Sequence, residues 1–259
     1  MSRRNRNILL AALGGAVAIA LVLILVSVLG SSSGKASAPE TTTAEPVRTL
    51  PVEPDGGTGT TPAPAKVPGA AATIALFKGV PQALNVVGKK TAPVTMIEFA
   101  DLQCPYCRDY TKNALPALVT KYVRTGKAKF VFSGMHFLGP DSYKALRAVY
   151  AAGLQGHLWE MLDLLYKSQG GENTNWVTDD LLSSVGASIP GLDTEKMFAD
   201  MSSPDVYAAI TAGDQQAQKA GVRSTPTFFA GPTGGTLQHI DVTALTPKAF
   251  TPTLDTLVK

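Results

Sequence analysis

The chain has 259 residues, 45% of them hydrophobic and 17% charged, with 23 Lys+Arg against 20 Asp+Glu and a net charge of +3. The whole excess lies in Arg3, Arg4 and Arg6; beyond residue 30 the charges balance at 20 against 20, which leaves no electrostatic footprint for nucleic acid. Only two cysteines are present, Cys104 and Cys107, and His136, His157 and His239 have no paired spacing, so the four ligands of a structural zinc site are lacking and no metal is expected.

Residues 1–30 read as a cytoplasmic stub followed by a transmembrane anchor. Residues 8–29 carry no charge; as a helix they would reach roughly 33 Å, enough to cross a bilayer core. That length favours an uncleaved anchor over a cleaved secretory signal, whose apolar core is shorter. The three arginines predict an N-terminus in the cytoplasm and the rest of the chain outside, in the periplasm or at the exterior of the cell envelope. Residues 31–72 are dominated by Pro, Ser, Thr, Ala and Gly. They offer too little apolar surface to offset the entropy of ordering, so a disordered tether is expected.

Residues 73–259 are long enough for one well-cored domain. An extended lead-in is expected from Ile74 to Pro93, with an edge strand near Leu84–Gly88. Val94–Ala100 is apolar and rich in β-branched and aromatic residues, the pattern of a buried strand. Leu115, Leu118 and Tyr122 then recur at helical spacing, so Cys104-Pro105-Tyr106-Cys107 falls where a strand becomes a helix. Pro105 suits the first helical position, which makes Cys104 the N-cap. There, unpaired backbone N–H groups and the helix dipole favour a thiolate. Cys107 lies about one turn inside, close enough to form a disulfide with Cys104. A purely structural disulfide would close only a tiny loop and stabilise little; a redox dithiol is the favoured reading.

Pro116 is expected to kink the helix, and Lys127–Phe132 to form a strand parallel to the first. Helices are then predicted around Tyr143–Tyr150 and Leu158–Leu165, from a Thr178 cap to a stop at Gly186, from an Asp193 cap to Met201, and from Ser203-Pro204 to Gly221. The tyrosines, methionines and Trp159 of this stretch are expected in the core, and His157 on a solvated face. Thr225–Ala230 reads as a strand, Thr236–Ile240 as its hairpin partner, and Thr246-Pro247 as the start of a last helix. The sum is an α/β fold, a mixed sheet with helices on both faces and a helical insert at about 139–220.

Two separated runs carry a resemblance. Glu98-Phe99-Ala100-Asp101-Leu102-Gln103-Cys104-Pro105-Tyr106-Cys107 and Gly221-Val222-Arg223-Ser224-Thr225-Pro226-Thr227-Phe228-Phe229 resemble the active-site strand and the cis-proline segment of DsbA-like thiol–disulfide oxidoreductases. The resemblance covers roughly residues 75–259 and implies a thioredoxin fold split by the helical insert. It implies that Cys104 is the nucleophile and Cys107 the resolving partner, with Pro105 and Tyr106 between them tuning the potential. It also implies that Pro226 is a cis-proline beside the dithiol with Thr225 facing the sulfurs, and that Glu98 is a buried acid serving proton transfer. An ordinary edge or surface-facing strand carboxylate remains the other reading of Glu98.

The expected activity is an exported disulfide oxidase that uses no bound cofactor beyond its own Cys104–Cys107 disulfide. Its expected partners are exported proteins with reduced cysteines and a quinone-linked membrane reoxidant, similar to DsbB or a vitamin K epoxide reductase homologue. No dimerisation domain is visible, so a monomer is expected. The alternatives are a reductase or isomerase kept reduced by a membrane electron carrier, and a tethered binding module in which the dithiol is incidental.

Overall fold

The computed structural model describes residues 66–259. The anchor expected at residues 8–29 and the tether up to residue 65 lie outside the described residues. Among the described residues no helix is long and apolar enough to cross a membrane.

The first element is a helix, α1 (Ala70–Phe77), where an extended lead-in was expected. It begins before residue 73, so the last residues assigned to the tether are helical. Ala70-Ala71-Ala72 are strong helix formers, but the segment has no side-chain cap and its N-cap is Gly69 at φ 83°. Docking holds it instead. Thr73 donates to Asp163, and Lys167 Nζ reaches Asp163 Oδ2 at 2.6 Å and Thr73 Oγ1 at 2.7 Å. Phe77 packs its ring 6.3 Å from that of Trp159. The expected edge strand is a small hairpin, β1 (Gln82–Ala83) with β2 (Val86–Val87).

The centre of the sheet is β3 (Val94–Asp101), buried at all eight positions. It pairs in parallel with β4 (Ala128–Met135) and antiparallel with β5 (Thr227–Pro232), giving the sheet order β1-β2-β4-β3-β5-β6, where β6 is Gln238–His239. Alternation along β3 sends Met96, Glu98 and Ala100 to one face and Ile97 and Phe99 to the other. The first face belongs to the main core; Ile97 and Phe99 join a smaller cluster with Met135 and Ala217. A strand buried on both faces reads as continuously apolar, which is why this one was legible.

Between β3 and β4 the helix breaks as Pro116 requires, into α2 (Pro105–Asn113) and α3 (Leu115–Leu118), followed by a π-helical turn at Val119–Val123. Tyr122 and Lys121 in that turn bind Asp255 of the last helix, α9 (Pro247–Leu257), at 2.7 and 2.9 Å.

Between β4 and β5 lies the helical insert: α4 (Pro140–Leu154), α5 (Leu158–Lys167), α6 (Asp179–Ala187), α7 (Thr194–Asp200) and α8 (Pro204–Ala220). The caps expected at Thr178, Asp193 and Ser203 all form, each side chain accepting from the backbone N–H three residues on. Gly186 is not the stop of α6, which continues to Ala187. Nine consecutive residues of α5, Leu158 to Tyr166, are buried, so α5 is the axle of the insert. His157 caps it half-buried, with Nδ1 sealed from solvent, and not on a solvated face. Trp159 and the tyrosines Tyr150 and Tyr166 are core residues, as expected from their spacing, but Tyr143 is only half-buried and Tyr207 on α8 is exposed.

Candidate active site

At the end of β3 the chain turns sharply, the Cys104 N–H donating to the Asp101 carbonyl at 3.0 Å. Pro105 opens α2 and leaves Cys104 at the N-cap with extended backbone (φ −69°, ψ 121°). Its sulfur therefore faces the unpaired donors of the first turn. The Cys107 thiol contributes most to holding Cys104 low; the Thr225 side chain and the backbone N–H groups of Cys107 and Tyr106 add to it. Against partial burial, they bring Cys104 down to about 6. Cys107 is fully buried, and burial pushes its thiol well above the usual range, with the Cys104 and Glu98 charges adding to the rise. Both cysteines are free thiols here. The site thus holds one acidic, slightly exposed sulfur and one buried, reluctant one.

The second run closes over the first. Gly221, left-handed at φ 69°, ends α8 and releases the chain toward Pro226. A side chain with a Cβ is strained in that conformation, which suits glycine. The Thr225–Pro226 peptide bond is cis, and the Cys104 thiol donates to the Thr225 carbonyl at 3.3 Å. Beside it runs a groove of about 230 Å³ lined by Ser224, Pro226, Thr227, Phe228, His239 and Ile240. Tyr106, between the cysteines, is 64% exposed, and Phe137, in the loop after β4, is 53% exposed.

Glu98 lies in the middle of the central strand, paired with Phe132 on one side and Phe228 on the other. It is 2% exposed and its Oε1 has no hydrogen-bond partner. Burial drives its carboxyl well above the ordinary range, and the negative charge on Cys104 drives it further. The reading as an edge or surface carboxylate is therefore wrong: β3 has a neighbour on each side and both faces are covered. Tyr110, on α2, is fully buried with its hydroxyl unpartnered, and its ring stacks on Phe228 and Phe250 at 4.7 and 5.3 Å.

A third layer escaped the sequence. The Asp101 carboxylate accepts from the Gln103 N–H (2.8 Å), the Ser142 hydroxyl (2.5 Å) and the Leu138 N–H (3.1 Å). Tyr166 donates to the Asp101 carbonyl at 3.1 Å, and Gln169 Nε2 donates to the carbonyls of Leu102 and Cys104 at 2.7 and 3.2 Å. Gln103 exchanges two hydrogen bonds with Asn173, at 2.6 and 3.2 Å. Asp101 and Gln103 stood inside the quoted motif. Gln169 and Asn173 sit in an aperiodic polar stretch that carries no signal of its own.

A dithiol of unequal acidity at a helix N-terminus, a cis-proline against the acidic sulfur and a buried acid beneath form a constellation that can be compared with known proteins. A family model described as Thioredoxin matches residues 82–245. The chain is 33% identical over 147 residues to the "Probable disulfide bond formation protein D" of Bacillus cereus, covering 55% of this chain and 68% of that one. In fold it is similar to oxidised BdbD of Bacillus subtilis (22% identity, TM-score 0.59, 70% of this chain and 96% of that one). It is likewise similar to α-DsbA1 of Wolbachia pipientis (24% identity, TM-score 0.57, 67% and 90%). With the helical insert in the same fold and a relative named for disulfide formation, the chain belongs to the thioredoxin family as a DsbA-like thiol–disulfide oxidoreductase.

Proposed function

We propose that this protein is an exported thiol oxidase, tethered to the membrane by residues 8–29, which donates the Cys104–Cys107 disulfide to client proteins. The observation that carries the proposal is the pairing of an acidic Cys104 with a buried, high-pKa Cys107 under the Thr225–Pro226 segment. A client thiolate attacks Cys104, a client–Cys104 bond forms, and Cys107 leaves with the electron pair. The proton Cys107 needs comes from Glu98, whose carboxyl is held well above the ordinary range by burial and by the charge on Cys104. A second client thiolate then attacks the client sulfur, and Cys104 leaves as the stabilised thiolate. Two electrons pass from client to enzyme; solvent reprotonates Glu98. The exposed rings of Tyr106 and Phe137 and the groove beside Pro226 suit an extended, partly apolar client segment. Reoxidation falls to a quinone-linked membrane protein, DsbB-like or related to vitamin K epoxide reductase. The balanced charge beyond residue 30 supports unfolded clients of varied sequence, with no requirement for a charged partner.

Direction of electron flow is decided by equilibrium with glutathione. A reduction potential near or above about −180 mV places the protein with disulfide donors; one below roughly −250 mV overturns the oxidase reading in favour of a reductase. Cys104→Ser is expected to abolish oxidation of a reduced model protein, and Cys107→Ser to accumulate mixed disulfides visible on non-reducing gels. Activity retained by Cys104→Ser would refute the assigned order of attack.

The acidity of Cys104 predicts a pH profile. Alkylation of the reduced protein should be slow below pH 6, rise through about 6 and level off above it. In Cys107→Ala the midpoint should move upward, because the strongest hydrogen bond to the thiolate is gone. Because the folded value lies below the 9.0 of a free thiol, Cys104 stabilises the reduced fold fully above pH 9 and loses that contribution as pH falls through about 6. Glu98, with its raised value, has the opposite sign.

Glu98→Leu is expected to separate stability from rate. Removing an unpartnered buried carboxyl should stabilise the fold by about 1–3 kcal/mol in urea titration at neutral pH. The same change should slow disulfide transfer on the order of a hundredfold in stopped-flow assays, as loss of a general acid does. A variant equally fast and more stable would remove Glu98 from the mechanism.

A further inference from the structure

We propose that Gln169, two residues past the end of the insert's axle helix, is a positioning residue that sets the reactivity of Cys104 by latching the carbonyls of the active-site turn. The inference deepens the thiol-exchange reading above and rests on Cys104 being the nucleophile.

The geometry is specific. One primary amide serves two carbonyl oxygens, Leu102 at 2.7 Å and Cys104 at 3.2 Å. A carboxamide can do so only with its NH₂ end, so the chemistry of the two acceptors fixes the orientation of the side chain. Leu102 is fully buried, and among the described residues Gln169 is the donor its carbonyl has once the β3 ladder has ended at Asp101. The Cys104 carbonyl is the first acceptor of α2: the Arg108 N–H bonds it at 3.2 Å from inside the helix, and Gln169 bonds it from outside. The backbone on both sides of the Cys104 Cα is thereby fixed. So is the placement of the Tyr106 and Cys107 N–H groups, which help to hold Cys104 low.

The neighbours make this a latch and not a lone contact. Tyr166 holds the Asp101 carbonyl, and Asn173 holds the Gln103 side chain at both ends. Each residue from Asp101 to Cys104 is thus tied to the segment 166–173 of the insert. Gln169 is the member that touches the nucleophile's own backbone. By fixing the turn that places the first-turn N–H groups against the sulfur, it acts on the thiolate, which exists only in the reduced state. The latch therefore favours thiolate over disulfide, which makes the oxidised form a stronger donor.

The test compares wild type with Gln169→Met, which keeps the volume and removes the donors, and Gln169→Glu, which turns them into a charged acceptor. The Cys104 titration is read by thiolate absorbance, the equilibrium with glutathione by alkylation, and the fold by circular dichroism. Both variants should remain folded and raise the Cys104 midpoint, Glu more than Met. The equilibrium should shift toward the disulfide by about tenfold for Glu, or about 30 mV for a two-electron couple. An acidic wild-type thiol left unmoved by both substitutions overturns the latch alone, and lower stability with an unchanged midpoint assigns Gln169 a purely structural role. A wild-type Cys104 that titrates as an ordinary thiol overturns the exchange reading and the latch with it.

Discussion

The structure depends on keeping a negative sulfur at the N-terminus of α2 while a carboxyl and a second thiol lie buried close behind it. Each of these groups opposes the others. A thiolate at Cys104 raises Cys107 and Glu98, and burial raises both further. The conflict is settled by position. Cys104 alone has access to the helix's free N–H groups, so it takes the charge most readily, while burial pushes the other two toward their protonated forms. Unequal acidity within four residues follows from where the helix starts, and Pro105 fixes that start.

The sheet provides the rest of the arrangement. Because β3 is central, Glu98 is flanked by Phe132 and Phe228 and is only 2% exposed. Because β5 runs antiparallel beside it, the residues just before β5 arrive at the same end of the sheet as the residues just after β3. That end is where Thr225 meets Cys104. The insert then closes the site from behind, the second half of its axle helix tied to α1 through Asp163, Lys167 and Thr73 just before the chain reaches the turn it latches.

How much of this could be read from the residues depended on range. Cys104 and the start of α2 were legible because a proline at the first helical position and an apolar strand before it are local signals. The caps at Thr178, Asp193 and Ser203 were legible for the same reason. Pro226 entered through resemblance, since nothing local distinguishes a cis from a trans X–Pro bond. Glu98 stayed ambiguous until the sheet order was known, because a strand's own sequence does not say whether it is central. Helix α1 was missed because it borrows its stability from α5, across some ninety residues of chain, and has no cap of its own. Gln169 was missed for a related reason: its partners are backbone carbonyls, which every sequence has.

The chain has two cysteines, and both are in the site. The one disulfide the chain can form within itself is therefore the one in its site. Its fold rests on the β3-centred core, on hydrogen-bonded caps and on the Asp163 network, all of which form without an oxidant. The fold can therefore form before any disulfide has been supplied, and the thiol chemistry of the site stays separate from folding. The same economy bears on thiol–disulfide exchange: no third thiol of the chain can intercept a mixed disulfide formed at either cysteine, so its resolution is left to the other one or to the bound partner.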